Sequence, residues 1–260
     1  MGANISRAAE SAAVFLNAQG HDPRTAITGA SFPWSAIGQL SHLDSNGILH
    51  LCTATLVGPD VLVSAAHCVL DENGKLASVH FKAGLRNGAF LAEADSVQVV
   101  AGTLSPELGK GADWAVIRLN QRLGDRLGFM KLSGAGLAKL PLTVSFAGYS
   151  ADFQEGKLPS LVANCTIHSQ FPDSSFAHDC SSDEGASGGP LFQFDSFGGT
   201  AILLAVHTRG FSNESFAQYT VSEANIAVMQ PALEQTVTNF LAPKSIANPN
   251  IGLFVNPQVF

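Results

Sequence analysis

An all-β fold is the reading the sequence supports, on three observations. Short β-prone runs recur along most of the chain, Gly, Pro and Asn turns separate them, and helix-like periodicity is confined to one late segment. The chain has 260 residues, 46% of them hydrophobic and only 13% charged, with a mean hydropathy of +0.19. It can bury a large core, and it must build much of its surface from Ser, Thr, Asn, Gln and Gly rather than from charges.

The runs follow in order. Residues 35–64 break at Ser45-Asn46-Gly47 and Gly58-Pro59-Asp60, which read as hairpin turns. Strand-like segments continue at 79–84, 96–102, 114–119, 142–149, 161–169, 190–194 and 201–208. Many short strands at such spacing predict a barrel or sandwich rather than alternating β and α units. In residues 222–241, Val228, Leu233, Val237 and Leu241 recur at helical spacing, and Pro231 suits a first helical turn. Residues 1–29 are expected to form an accessory arm or helix, and residues 242–260, with three prolines, a tail.

Composition narrows the function. Fourteen Lys and Arg against 21 Asp and Glu leave a net charge of −7, with no basic run to neutralise a phosphate backbone, so nucleic acid is not an expected partner. No run approaches the ~18 apolar residues of a membrane span, and the N-terminal stretch lacks the apolar centre of a signal peptide.

Cys52, Cys68, Cys165 and Cys180 permit three pairings if oxidised, or four buried thiols if not. Spacing favours the local pairs, each closing a loop worth ~3 kcal/mol on the loop-entropy account. None has zinc-ligand spacing, so no metal is expected.

Three segments carry chemistry: SAAHCV around His67, GADWAVIRL around Asp113, and GASGGPLF around Ser187. A serine hydroxyl is a weak nucleophile unless an imidazole takes its proton and an acid holds that imidazole in the right tautomer. Each residue alone has a plainer explanation: a core histidine, a strand-entry aspartate, a glycine-rich turn. Taken together, with Cys68 beside His67, those plainer explanations give way.

In these motifs the chain resembles the chymotrypsin-like serine peptidases, closest in style to bacterial glutamyl endopeptidases. Ala65-Ala66-His67-Cys68, Asp113 to Leu119 and Gly185 to Pro190 match that family's three signatures, and the resemblance spans about residues 30 to 241. It implies two six-stranded antiparallel β-barrels packed together, with the active site between them and a C-terminal helix. It implies a serine endopeptidase with His67 as base, Asp113 as orienter and Ser187 as nucleophile, and with the N–H groups of Gly185 and Ser187 as oxyanion hole. It pairs Cys52 with Cys68 and Cys165 with Cys180, which suits a secreted or periplasmic protein.

Protein or peptide substrates, no cofactor and a monomeric state are the corresponding expectations. The resemblance also puts Ser182, His207, Thr208, Arg209 and Gly210 in the substrate-binding wall, where His207 with Ser182 would receive an acidic side chain. Asp183 and Glu184 on the rim would oppose that preference if they pointed inward.

One departure from the family stands out. Ala186 precedes the serine where digestive members carry an Asp, so activation by an ion pair to a new N-terminus is not expected. Two other classes compete. One is a catalytically silent relative serving as a binding module, against which the intact triad speaks. The other is an esterase built on Gly-x-Ser-x-Gly, which the order His, Asp, Ser disfavours.

Overall fold

The computed structural model describes residues 13–17, 19–108, 110–133, 139–195, 197–210, 215–217 and 219–242. Its strands are β1 (Val14–Phe15), β2 (Thr25–Ala26), β3 (Ile37–Leu43), β4 (Leu49–Leu56), β5 (Val61–Ser64), β6 (His80–Ala83), β7 (Ala92–Ala101) and β8 (Ala115–Leu119). They continue as β9 (Lys131–Leu132), β10 (Leu142–Gly148), β11 (Ser160–Gln170), β12 (Ser175–His178), β13 (Pro190–Phe194), β14 (Ala201–Gly210), β15 (Ser215–Ala217) and β16 (Asn225–Val228). The helices are α1 (Gly124–Leu127) and α2 (Pro231–Leu241).

Strands β3-β4-β5-β8-β7-β6 close into one barrel. A second ring runs β10-β13-β14-β16-β12-β11 and closes through β10–β11, with β2 added on β11 and β9 on β14. The rings are the two six-stranded antiparallel barrels that the resemblance implies.

Alternation explains how the barrels share a wall. In β5, Leu62 points into the first core with Phe81 and Ile117, whereas Val61 and Val63 join the second core with Phe146, Leu191 and Phe192. Successive strand residues face opposite sides, so a strand apolar on both faces must be covered twice. Helix α2 supplies part of that cover through Leu233, Val237 and Phe240.

The late helical periodicity is corrected in extent. Helix α2 starts at Pro231, and the preceding Asn225–Val228 is strand β16, hydrogen-bonded between β12 and β14. Proline fits the first helical turn but cannot sit in a helix interior, so the helix cannot extend back across Pro231 unkinked. All four β16 residues are buried on both faces, and that pattern does not distinguish strand from helix in sequence.

The described part of the N-terminal arm is strand and loop, not helix. Ala13, Val14 and Phe15 are buried, and β1 lies parallel to β15. Arg24 fixes the arm by pairing with both carboxylate oxygens of Asp152 at 2.6 Å and with Asp22 at 2.8 Å. Residues 1–12 and the tail from 243 lie outside the described residues.

Candidate active site

The three singled-out segments come together through contacts of His67 with Asp113 and of Cys68 with the Ser187 carbonyl. His67 opens a short helical turn just beyond β5, Asp113 lies two residues before β8, and Ser187 ends the loop that leads into β13. Because β5 and β8 are paired, with Ser64 opposite Ala115, their ends deliver His67 and Asp113 side by side.

Asp113 is completely buried. Its Oδ1 accepts the backbone N–H of His67 at 3.1 Å, and its carboxylate faces His67 Nδ1 at 2.9 and 3.1 Å. Burial opposes its charge, yet the pull of His67 and then of Arg209 holds the carboxyl well below the usual carboxylate range. An ionised carboxylate only accepts, so Nδ1 carries the proton and Nε2 is left as the basic nitrogen of His67.

Ser187 comes in from the second barrel. Its hydroxyl donates to the Thr208 carbonyl at 2.9 Å, and its own carbonyl accepts the N–H of Thr53 at 2.8 Å. Its loop turns through two left-handed glycines, Gly185 at φ +86° and Gly188 at φ +87°, which an L side chain rarely adopts. A Cβ on Gly188 would lie 2.0 Å from the Thr53 carbonyl and 2.1 Å from Ser64 Oγ. Glycine is therefore required there for close approach as well as for conformation.

Thr53, on β4, escaped the sequence reading. It is fully buried and ties the serine loop to the first barrel: its Oγ1 donates to the Gly185 carbonyl at 2.9 Å and accepts the Tyr149 N–H at 3.0 Å. The carbonyls of Gly185 and Ser187 both accept from Thr53, and the N–H groups of the same two residues bond to no group among the described residues. The adjacent Cys52 was the only signal near it. Replacing Thr53 with Val keeps the shape but strands two buried backbone groups. We expect it to cost about 1–3 kcal/mol of stability, read from urea unfolding, together with a fall in turnover.

The predicted substrate wall divides. Ser182, His207 and Thr208 are fully buried, and Gly210 ends β14 opposite Asn225. Ser182 Oγ lies 3.1 Å from His207 Nε2, and His207 Nδ1 lies 3.1 Å from His178 Nε2. The Cys180 N–H donates to His178 Nδ1 at 3.2 Å, which sets the direction of the chain. His178 must donate to His207, and His207 to Ser182. Asn225 Nδ2 also donates to Ser182 Oγ at 2.9 Å, so the Ser182 hydroxyl hydrogen is left to point elsewhere.

Burial, with a smaller repulsion from His67, pushes His207 down to about 3, and burial likewise holds His178 well below the usual histidine range. Both rings are neutral, so any attraction for a carboxylate there comes from hydrogen bonding rather than from charge. Sequence reasoning missed His178 and Asn225, since a lone histidine and a lone asparagine carry no distinctive pattern.

Arg209, expected in the wall, also reaches the catalytic candidates. Its Nη2 donates to Asp113 Oδ2 at 3.0 Å. Asp183 Oδ2 accepts the Asp152 N–H at 3.2 Å, and burial, then the nearby Asp152 carboxylate, push its own carboxyl up. The described part of the arm reaches this wall. Ser182 N–H donates to the Ala13 carbonyl at 3.1 Å, Ser181 Oγ bonds both backbone groups of Phe15, and Asn225 brackets Ala13 at 2.8 Å on each side.

Both local disulfides are formed, Cys52–Cys68 beside the histidine and Cys165–Cys180 behind the wall. Among the described residues, the one cluster with metal-ligand atoms close together is Cys52, Cys68 and His67, within 4.8 Å of one another. Its cysteines are joined to each other and offer no thiolate, so it does not fit a metal. No described helix is long and apolar enough to cross a membrane.

The profile described as Trypsin matches residues 24–223. A glutamyl endopeptidase of Bacillus licheniformis is 26% identical over 205 residues, 74% of this chain and 60% of that protein. The chain thus spans about 60% of the length of this curated relative.

Among solved structures, a Glu endopeptidase in complex with MPD superposes with a TM-score of 0.67 at 18% identity, covering 87% of this chain and 98% of that one. The protease Anisep of Arthrobacter nicotinovorans gives 0.64 at 19% identity, covering 84% and 98%. At such identities these two likenesses speak to the fold.

Proposed function

We propose, from the premise that the chain belongs to the trypsin family, that it is a serine endopeptidase working through Ser187, His67 and Asp113. The observation that carries the proposal is the buried Asp113 carboxylate on His67 Nδ1, 2.9 Å away, with the carbonyl of Ser187, on a glycine-shaped loop, 3.6 Å from the Sγ of Cys68, the residue after His67.

Ser187 Oγ attacks the substrate carbonyl as His67 Nε2 takes its proton. For this the hydroxyl turns from the Thr208 carbonyl, a single rotamer change. Negative charge then develops on the substrate oxygen, where the N–H groups of Gly185 and Ser187 receive it, each such donor being worth on the order of 3 kcal/mol. His67 passes its proton to the leaving amine, and an acyl-enzyme on Ser187 remains. Water deprotonated by His67 hydrolyses that ester and restores the hydroxyl. No cofactor enters any step.

The serine loop needs no ion pair at Ala186 in this account. Thr53 holds it from one side, and the backbone of Ala13–Phe15 braces the neighbouring Ser181, Ser182 and Asn225 from the other. The two disulfides support an oxidising compartment such as the cell exterior or periplasm.

Preference for an acidic residue before the scissile bond is part of the proposal. The chain of donors through His178 and His207 leaves the Ser182 hydroxyl hydrogen for a substrate carboxylate, and the relative in Bacillus licheniformis is a glutamyl endopeptidase. A peptide library digested by the protein and mapped by mass spectrometry is expected to show cuts after Glu or Asp. Ser182→Ala should lose about 10- to 100-fold in kcat/KM on Glu peptides, the scale of one charge-assisted hydrogen bond, and far less on Ala peptides. Cuts after other residues, unaffected by the Ser182 change, would overturn the acidic preference and leave the peptidase standing.

A further inference from the structure

Arg209 sits where a substrate contact was expected, and its guanidinium instead bonds the buried aspartate. Nη2 donates to Asp113 Oδ2 at 3.0 Å, the same oxygen that lies 2.9 Å from His67 Nδ1. The Asp113 side chain is fully buried and that of Arg209 is 13% exposed, so little water intervenes. One carboxylate thus faces a permanent cation and an imidazole that must become a cation during the reaction.

We propose that Arg209 is a positioning residue that pins the Asp113 carboxylate and lowers the basicity of His67, keeping the base neutral into mildly acidic solution. The inference rests on the peptidase reading above. The guanidinium fixes Oδ2 while the His67 N–H fixes Oδ1, so the carboxylate cannot rotate away from Nδ1. It also offsets part of the negative charge that would stabilise an imidazolium, and an added cation lowers a neighbouring histidine's affinity for its proton. The consequence is a trade: a weaker base at neutral pH, and a base that stays unprotonated to lower pH.

The other groups around His67 do not do this. His207 on β14 and His178 on β12 are buried and neutral across the working range. On β3, burial and then His50 depress the basicity of His42. His50 on β4 stacks on His42 at 4.8 Å and reaches Asp44 at 3.3 Å, one layer further out. The serine loop adds Asp183, engaged with the Asp152 N–H, and Glu184, whose carbonyl accepts Ala151 N–H. Of these groups, Arg209 is the one with a permanent charge in direct contact with Asp113.

The test is an NMR titration of the His67 ring in wild type, Arg209→Gln and Arg209→Lys, read beside the pH profile of kcat/KM on a Glu-containing peptide. Arg209→Gln is expected to raise the His67 midpoint by about one unit. The acid limb of kcat/KM should follow it, so that one unit below the wild-type midpoint the variant has lost about tenfold more of its own plateau. Arg209→Lys retains the charge at shorter reach and should raise the midpoint by less. If the Gln variant does not fold, Arg209→Met, which also removes the charge, carries the test, and no rise in it overturns the proposal.

An unmoved midpoint in Arg209→Gln, or an effect confined to KM for acidic peptides, likewise overturns it and returns Arg209 to the substrate wall. The titration is read on folded protein whatever its turnover. A failure of Ser187-dependent cleavage would thus sink the peptidase reading and leave this measurement intact.

Discussion

Ser187→Ala is expected to lower kcat by on the order of 10⁶-fold while leaving the protein folded. The Oγ atom is the only group at this position that can form the acyl bond, and no other described hydroxyl shares its place on the glycine-shaped turn. Its contribution to the fold is small. Among the described residues the hydroxyl makes one hydrogen bond in the resting state, to the Thr208 carbonyl at 2.9 Å, and a neutral bond of that kind is worth about 1 kcal/mol. Peptide cleavage at saturating substrate, with circular dichroism as the check on folding, measures both quantities. Turnover within a few fold of wild type in the folded variant would assign the nucleophile elsewhere.

Asp113→Asn is the second large effect, a loss on the order of 10⁴ in kcat, the scale known for this exchange in Ser-His-Asp triads. The carboxylate serves donors on both oxygens: the His67 N–H on Oδ1, Arg209 on Oδ2 and His67 Nδ1 on both. An amide has one accepting oxygen. If that oxygen replaces Oδ2, the amide N–H₂ faces the His67 backbone N–H; if it replaces Oδ1, the N–H₂ faces the Arg209 guanidinium. Either way two donors meet in a buried site. Where the N–H₂ faces His67 Nδ1, it selects the tautomer with the proton on Nε2, which cannot take the serine proton. The exchange should therefore also destabilise the fold by about 1–3 kcal/mol. Parallel measurement of kcat and urea stability tests both parts, and a variant near wild type in both would contradict the role given to the pair.

The legible and illegible parts of this site divide along chemical lines. The candidates His67, Asp113 and Ser187 stood out because their segments have a composition that is itself a constraint: next to Ser187, Gly188 is required because Thr53 and Ser64 leave no room for a Cβ. The β-rich class was legible because turn residues punctuate the chain. Thr53 was not, because its bonds to Gly185 and Tyr149 join residues 132 and 96 positions away. Arg209 was read as part of the wall strand, and its bond to Asp113 was not legible, since a strand position does not say which way a long guanidinium reaches. The helix boundary at Pro231 could be read, whereas strand β16 before it could not, because its pairing partners β12 and β14 are distant in sequence.

The arm shows the same limit more sharply. Nothing in the composition of residues 13–15 announces that their backbone reaches Ser181, Ser182 and Asn225, some 166 to 212 positions away. Hydrogen bonds from main-chain groups carry no residue signature. They became visible only when the second barrel placed β12, β14 and β16 around them.

The most direct test of the central claim is mass mapping of the intact protein after treatment with a fluorophosphonate, which reacts with a serine only when a neighbouring base activates it. The account predicts one adduct, located on the peptide containing Ser187, formed at a rate that falls by orders of magnitude in His67→Ala. Folded wild-type protein that takes no adduct, or takes it on another residue, would contradict it.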